Sequence, residues 1–167
     1  CLQEVLRGDL LKYEKALNKK SFFKPLYKGS KAHGHNDMHG VAILANDFNR
    51  TNYQYYYGGE ENITMDRIPD ASGMRNYAQQ PVIIVDVLFQ EDVYRFATTH
   101  LTWTQNGKST SFQLEDVKKL FSILDAENEL VLVGDFNAPR SGATFDLIAS
   151  KYKDNIPSRY ESSLDPN

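Results

Sequence analysis

The sequence predicts a layered domain of the α/β or α+β class, with helices covering the outer faces of β-sheets. In the order of segments along the chain, β-rich runs outnumber helical ones. Two of these runs, residues 82–89 and 93–102, are separated by only three residues, which is typical of a hairpin. A length of 167 residues, with 41% hydrophobic and 25% charged residues, is typical of one globular domain.

The first half of the chain begins with a helix and continues with short strands. Asp9–Lys20 is predicted to be helical, because its apolar residues recur at helical spacing and its charges complement the macrodipole. The apolar stripe consists of Leu10, Leu11, Ala16 and Leu17. The predicted strands are Lys24–Lys28, Gly40–Ala45 and Tyr53–Tyr57, followed by a polar loop over Glu60–Arg75.

The second half has clearer signals. The predicted elements are the hairpin Val82–Phe89 with Val93–Thr102, the helix Ser109–Ala126, the strand Leu130–Val133, the loop Gly134–Gly142 and the helix Ala143–Lys151. Because Leu130–Val133 is continuously aliphatic, we expect this strand to be buried on both faces. The tail from Asp154 is polar.

Composition excludes several classes of protein. The single cysteine, Cys1, excludes an internal disulfide framework and a cysteine-rich zinc site. A net charge of −3 argues against wrapping long nucleic acid by counterion release alone, but it is compatible with an acidic pocket for a cation. No apolar run approaches the ~20 residues that a bilayer span needs. No signal peptide is visible, so the sequence does not indicate a compartment.

Three stretches end a β-rich run in polar residues that can bind metal or phosphate. They are Leu2-Gln3-Glu4-Val5, Thr99-His100-Leu101 and Gly134-Asp135-Phe136-Asn137. Taken singly, a surface carboxylate, a structural histidine and an ordinary turn are the commoner explanations. The third stretch is the strongest, because four aliphatic residues precede it and a turn needs no such strand.

Together, in order and spacing, these stretches resemble the endonuclease/exonuclease/phosphatase superfamily. His39-Gly40-Val41-Ala42-Ile43 is similar to a strand of that family, with Gly40 where the backbone passes closely. The resemblance covers essentially the whole chain. It implies a four-layer sandwich of two packed mixed β-sheets with helices on the outer faces. It also implies metal-dependent hydrolysis of a phosphoester.

The resemblance assigns a role to each matching residue. Glu4 corresponds to the ligand of Mg²⁺, for which Mn²⁺ can substitute, and Mg²⁺ needs only one or two carboxylates. Asp135 corresponds to the residue that orients or deprotonates the attacking water. Asn137 corresponds to an amide that holds the phosphate or the water. His100 corresponds to the imidazole that donates a hydrogen bond to a non-bridging phosphate oxygen.

The resemblance does not select a substrate. A phosphodiesterase or nuclease is the leading hypothesis, so the expected partner is a phosphoester substrate, including nucleic acid, and no protein partner can be inferred. The alternatives are a phosphomonoesterase, a sphingomyelinase-like lipid phosphodiesterase and a catalytically inactive relative that only binds. Arg140 is a candidate substrate-binding residue, although a surface arginine is the commoner explanation.

The family pattern also predicts that residues 1–167 form a single domain that is incomplete at both ends. The family has a strand before the Gln-Glu motif, inside which this sequence begins at Cys1, and it ends with a Ser-Asp-His motif, which does not occur after Asn137 here. The four histidines, His33, His35, His39 and His100, all precede Asn137. For the three within residues 33–39, a solvated loop is favoured over a loop that contacts substrate at the mouth of the active site. A transition-metal site is the least favoured, since the spacing fits no regular element.

Overall fold

The computed structural model describes residues 1–29, 36–59, 79–157 and 159–160. Seven strands and three helices occur in these ranges. The strands are β1 (Leu2–Leu6), β2 (Lys20–Lys28), β3 (Met38–Ala45), β4 (Arg50–Tyr57), β5 (Gln80–Phe89), β6 (Asp92–His100) and β7 (Val131–Asp135). The helices are α1 (Arg7–Leu17), α2 (Ser111–Leu124) and α3 (Ala143–Ala149), and a 3₁₀ turn spans Gln105–Gly107.

The strands form two sheets. The first has the order β1-β3-β2, and both of its pairings are antiparallel. The second has the order β4-β5-β6-β7, in which β5 and β6 form the predicted hairpin. Its last pairing, between β6 and β7, is parallel, because α2 carries the chain back to the same end of the sheet.

The two sheets pack face to face, and the side chains of β5 show the layering. Val82 and Ile84 point to one side, where they join a cluster with residues of α2 and α3. Ile83 and Val85 point to the other side, towards the three-stranded sheet. The partners from that sheet are Leu26, Tyr27, Val41 and Ile43. With α1 against the outer face of the three-stranded sheet, this arrangement is the predicted four-layer sandwich.

The apolar stripe predicted for the first helix is wrong in part. Leu10 is buried with Val5 and Ala42, but Leu11 and Leu17 are 72% and 56% exposed. Leu10 faces the sheet, whereas Leu11 and Leu17 lie on the exposed side of the helix within the part of the chain that the structure describes. The helix also ends early, because Asn18 takes a left-handed conformation (φ 50°), and Lys20 already belongs to β2.

The last strand also differs from the prediction. Val131 is 47% exposed, so β7 is not buried on both faces. In the described ranges β7 pairs only with β6 and lies at the edge of its sheet. An aliphatic composition does not distinguish such an edge strand from a central one. The strand continues through Gly134 and Asp135, two residues that the sequence assigned to a loop.

The other predicted strands and helices are confirmed to within a few residues at their ends. The close approach at Gly40 is confirmed, since a Cβ there would lie 2.3 Å from the carbonyl oxygen of Lys24. The predicted loop over 60–75 and most of the polar tail lie outside the described residues. None of the described helices is long and apolar enough to cross a membrane.

Candidate active site

Two of the sequence-predicted residues meet where β6 and β7 end. The parallel register places His100 directly beside Asp135. The Nε2 atom of His100 lies 3.8 Å from the Oδ2 atom of Asp135. The imidazole is almost completely buried, with 4% of its side chain exposed, whereas the carboxylate is 54% exposed. Parallel strands end at the same edge of a sheet, so residues 35 positions apart in the sequence become neighbours.

Gly134 allows β7 to approach β6 this closely. Its φ of 153° is a conformation that other residues rarely adopt. A Cβ at this position would lie 2.1 Å from the carbonyl oxygen of Thr99, far inside van der Waals contact. The glycine that begins the Gly-Asp-Phe-Asn stretch is therefore a packing requirement of the strand pair.

The residues after β7 form a tightly held turn. Asn137 has a left-handed backbone (φ 47°), and its N–H donates to Oδ1 of Asp135 at 2.9 Å. Its side-chain Nδ2 donates to the carbonyl oxygen of Leu101 at 2.8 Å. The N–H of Leu101 in turn donates to the carbonyl oxygen of Asp135 at 2.8 Å. The last two of these hydrogen bonds join the ends of β6 and β7, and the first holds Oδ1 of Asp135 within the turn.

Behind His100 lies a layer of buried polar side chains that sequence reasoning missed. The Tyr56 hydroxyl donates to Thr99 Oγ1 at 2.9 Å, and Thr99 Oγ1 donates to the Pro81 carbonyl at 2.7 Å. Burial raises the pKa of Tyr56, so its hydroxyl stays protonated. The run Thr98-Thr99-His100 is the signal that could have indicated this layer, because it is polar throughout in a strand whose other residues are mostly hydrophobic.

The polar layer continues past the end of β6. The Thr102 hydroxyl lies between Gln80 Oε1 and Asp116 Oδ2, at 2.6 Å from the latter, and all three residues are buried. Gln113 and Thr144, both fully buried, complete the set. Apart from Thr102, which lies just beyond β6, these residues belong to β5, α2 and α3, so the layer connects the covering helices to the strand ends that carry the site.

Glu4 lies on a β-bulge at the edge of the other sheet. The pairing of β1 with β3 shifts register between Leu2 and Val5, and Glu4 has a left-handed φ of 53°. Such bulges redirect a side chain and are frequent beside active sites. The preceding residue, Gln3, donates from Nε2 to Oγ1 of Thr98 on β6 at 3.0 Å. That bond holds the bulge next to β6, two positions before His100.

Arg140 is engaged within the protein. Its guanidinium makes a two-pronged ion pair with Asp154, with N···O distances of 3.1 and 2.7 Å. It also donates to the carbonyl oxygens of Ile156 and Tyr160 at 2.6 and 2.7 Å. These contacts tie the segment after α3 to the loop after β7, and a role in substrate binding stays a prediction.

The histidine-rich stretch divides between described and undescribed residues. His33 and His35 lie outside the described residues. His39 lies in β3, where its ring stacks on Tyr27 with a centroid distance of 4.6 Å and an interplanar angle of 14°. Within the described ranges there is no group of three or more His, Cys, Asp or Glu side chains that could hold a metal ion.

Comparison of this architecture with solved structures identifies its fold. A functionally unknown conserved protein from Enterococcus faecalis superposes with a TM-score of 0.64 at 18% identity, over 91% of this chain and 57% of that one. An endonuclease/exonuclease/phosphatase family protein from Bacteroides thetaiotaomicron has a TM-score of 0.58 at 13% identity, over 89% and 52%. The fold is that of the endonuclease/exonuclease/phosphatase superfamily.

A third neighbour is a sphingomyelinase C from Streptomyces griseocarneus, with a TM-score of 0.56 at 18% identity, over 89% of this chain and 55% of that one. The chain thus spans somewhat more than half the length of the solved structures that it resembles. No protein-family model and no curated protein sequence matches it. At these identities the comparison shows the fold alone.

Proposed function

We propose that this chain carries the phosphate-binding side of a metal-dependent phosphoester hydrolase that cleaves phosphodiester bonds. The observation that carries the proposal is the pairing of His100 with Asp135 at adjoining strand ends, with Nε2 and Oδ2 3.8 Å apart. At that distance the two groups do not hydrogen-bond to each other. One water or one substrate oxygen can nevertheless lie within reach of both. The superfamily fold supports the same proposal.

In the proposed reaction, Asp135 orients the attacking water and accepts its proton. The Oδ1 atom of Asp135 already accepts the N–H of Asn137, so Oδ2 is the oxygen that receives the water. The exposed carboxylate lets water reach it. Asn137, whose Nδ2 is held by Leu101, contributes an amide oxygen to the water without placing a further charge next to an anionic phosphate.

His100 acts on the phosphate in this proposal. Its ring is fixed by burial, and Nε2 lies on the edge that approaches Asp135. An N–H there donates a hydrogen bond to a non-bridging phosphate oxygen, where negative charge grows in the transition state. Since the donor is held rigidly, little reorganisation is needed at the moment of reaction.

Mg²⁺, with Mn²⁺ as a substitute, is the cofactor that we propose, and Glu4 is its ligand. The donor fits in kind, because a carboxylate on an exposed bulge is a hard oxygen ligand. Mg²⁺ retains several waters and does not require a cluster of three protein ligands. When bound, the ion supplies charge neutralisation at the phosphoryl oxygen and at the leaving oxygen.

The two candidate substrates are nucleic acids and phosphodiester lipids. A nucleic acid and a lipid headgroup present the same phosphodiester to His100 and Asp135, and the sphingomyelinase C among the structural neighbours favours testing the lipid as the second candidate. Arg140 would have to leave Asp154 in order to contact either substrate. We therefore expect the substitution Arg140→Ala to act less strongly than a substitution of Asp135.

The proposal is tested by assaying the whole protein with single-stranded and double-stranded DNA, RNA, sphingomyelin vesicles, inositol phosphates and a chromogenic phosphodiester. We expect hydrolysis that EDTA abolishes and that Mg²⁺ restores. Glu4→Gln should lower kcat by about 100-fold, because the metal supplies several kcal/mol of charge stabilisation. Asp135→Asn should lower kcat by about 100-fold to 10,000-fold, the range for loss of a general base.

Asp146→Asn is the matched control, because Asp146 is an exposed carboxylate on α3 and makes the same chemical change away from the strand ends. Its kcat should equal that of the native protein. Full activity in EDTA, or an unchanged kcat in Asp135→Asn, would show that the proposed function is wrong.

A further inference from the structure

We infer that Gln113 is a positioning residue of this site, whose side-chain amide joins the loop carrying Asp135 and Asn137 to the end of the strand carrying His100. The expected effect of Gln113 on catalysis rests on the proposed function, whereas the hydrogen-bond geometry of Gln113 is independent of it. Gln113 belongs to none of the three stretches that carry the family resemblance, and it lies in the first turn of α2.

The contacts of Gln113 are those of a junction between elements. Its Nε2 donates to the carbonyl oxygen of Thr102, just beyond β6, at 2.9 Å, and to the carbonyl oxygen of Asn137 at 3.1 Å. Its Oε1 accepts from the hydroxyl of Thr144 on α3 at 2.6 Å. Gln113 and Thr144 are fully buried. Both amide hydrogens are therefore used, in a place where water does not compete.

The local sequence predicts a different use for this side chain. Thr110 is the N-cap of α2, and its hydroxyl accepts the N–H of Gln113 at 3.4 Å. Thr110-Ser111-Phe112-Gln113 thus has the form of a capping box, in which the glutamine side chain would return to the N–H of the cap residue. Gln113 instead donates to the two strand-end carbonyls. A residue that departs from its local rule in this way marks a tertiary requirement.

Gln113 supplies the hydrogen bond that completes the restraint on Asn137. Asn137 is held at its N–H by Asp135, at its side chain by Leu101 and at its carbonyl oxygen by Gln113. Its left-handed backbone is a conformation that needs such support. Without the bond to its carbonyl oxygen, the strained Asn137 keeps only the other two restraints, so the turn that presents the Asn137 N–H to the Asp135 carboxylate becomes looser.

The role requires an amide. Two donors and one acceptor are needed, which an ionised glutamate and a methionine both lack. Because the amide is neutral, it holds the loop without altering the charge that the phosphate meets. A side chain with this combination of properties positions Asp135 and Asn137 but does not itself contact the substrate.

The test compares Gln113→Met with Thr110→Ala in the whole protein. Gln113→Met keeps the apolar volume and removes the three hydrogen bonds, so we expect kcat to fall by about 100-fold with little change in KM, as for a small misplacement of reacting groups. Thr110→Ala removes the cap of the same helix and leaves the amide bonds in place. It should lower stability without changing kcat.

Two further variants separate positioning from a merely structural role. In Gln113→Glu the protonated carboxyl can donate one hydrogen bond and the carboxylate none, so its kcat relative to the native protein should rise as the pH falls. Thr144→Val removes the hydroxyl that orients the Gln113 side-chain amide, and it should lower kcat by a smaller factor than Gln113→Met does. If Gln113→Met does not fold, these two variants carry the test.

Hydrogen exchange gives a readout that is independent of hydrolysis. The backbone N–H of Asn137 should exchange about tenfold faster in Gln113→Met and Thr144→Val than in the native protein. Its exchange rate in Thr110→Ala should equal that in the native protein. If no substrate is hydrolysed even by the native protein, the proposed function fails and the exchange rates alone decide this inference. An unchanged exchange rate at Asn137, or a faster exchange with an unchanged kcat, would overturn it.

Discussion

Replacing Gly134 with alanine directly perturbs the contact that brings β7 against β6. The new Cβ would lie 2.1 Å from the carbonyl oxygen of Thr99 and 3.2 Å from that residue's carbonyl carbon and nitrogen. All three atoms belong to the backbone of β6, so no side chain can turn away. Alanine would also have to adopt a φ of 153° or move the strand.

The size of the effect follows from two costs. To relieve the contact, β7 must move by about 1 Å, and such overpacking costs about 1–3 kcal/mol. The unfavourable φ costs about 1–3 kcal/mol more. We therefore expect the free energy of unfolding to fall by about 2–6 kcal/mol, a large share of the 5–15 kcal/mol typical of a domain. Because His100 pairs with Asp135 one position further along, hydrolysis should fall as well.

Urea denaturation followed by the fluorescence of Trp103, the single tryptophan, measures the change. The midpoint should move to lower urea at an unchanged slope. Gly59→Ala is the control, because a Cβ there meets no atom of the described residues within 4 Å. It should leave the unfolding free energy unchanged, or raise it by up to about 1 kcal/mol through the unfolded chain. A Gly134→Ala protein as stable as Gly59→Ala would refute the close approach of the two strands.

Two further predictions concern the polar groups that support the sheet. Hydrogen bonds from Arg95 to Asp86, at 2.7 and 2.9 Å, lower the pKa of the Asp86 carboxyl in the folded protein. The ionised carboxyl therefore contributes to the free energy of unfolding above the unfolded pKa of about 3.9, and this contribution is lost as the pH falls through the lower, folded pKa. Unfolding free energy measured in urea should therefore fall as the solution becomes more acidic, and Asp86→Asn should make that slope shallower; equal slopes would contradict this. Tyr56→Phe removes a buried donor to Thr99 and should cost about 1 kcal/mol by the same assay. Tyr13→Phe, at a side chain that is 43% exposed, should cost nothing, and equal effects of the two changes would exclude the buried hydrogen bond.

Local patterns in the sequence were enough for the succession of elements and for a layered α/β or α+β class. The four-layer sandwich was predicted from the resemblance of three short stretches to the endonuclease/exonuclease/phosphatase superfamily. The spacing of apolar residues along the chain indicates whether a segment is a strand or a helix. That spacing alone therefore predicts the hairpin of β5 and β6 and the helix α2. The same runs end in His100 and in Asp135, which made those residues candidates before any contact was known. The predicted ends of the elements differ from the observed ends by a few residues, because the last residues of a helix or strand depend on the elements that pack around them.

Tertiary structure alone decided which of these residues meet and what holds them. His100 lies beside Asp135 because β6 and β7 pair in parallel and in register, and the sequence of either strand does not encode its register with the other. Burial likewise depends on what packs opposite a residue, so Leu11 of α1 is exposed and Gln113 of α2 is not. Hydrophobic spacing describes one face of one element. The two carbonyls that Gln113 binds come from segments 11 residues before it and 24 residues after it, and only the packed layers bring them to a single amide.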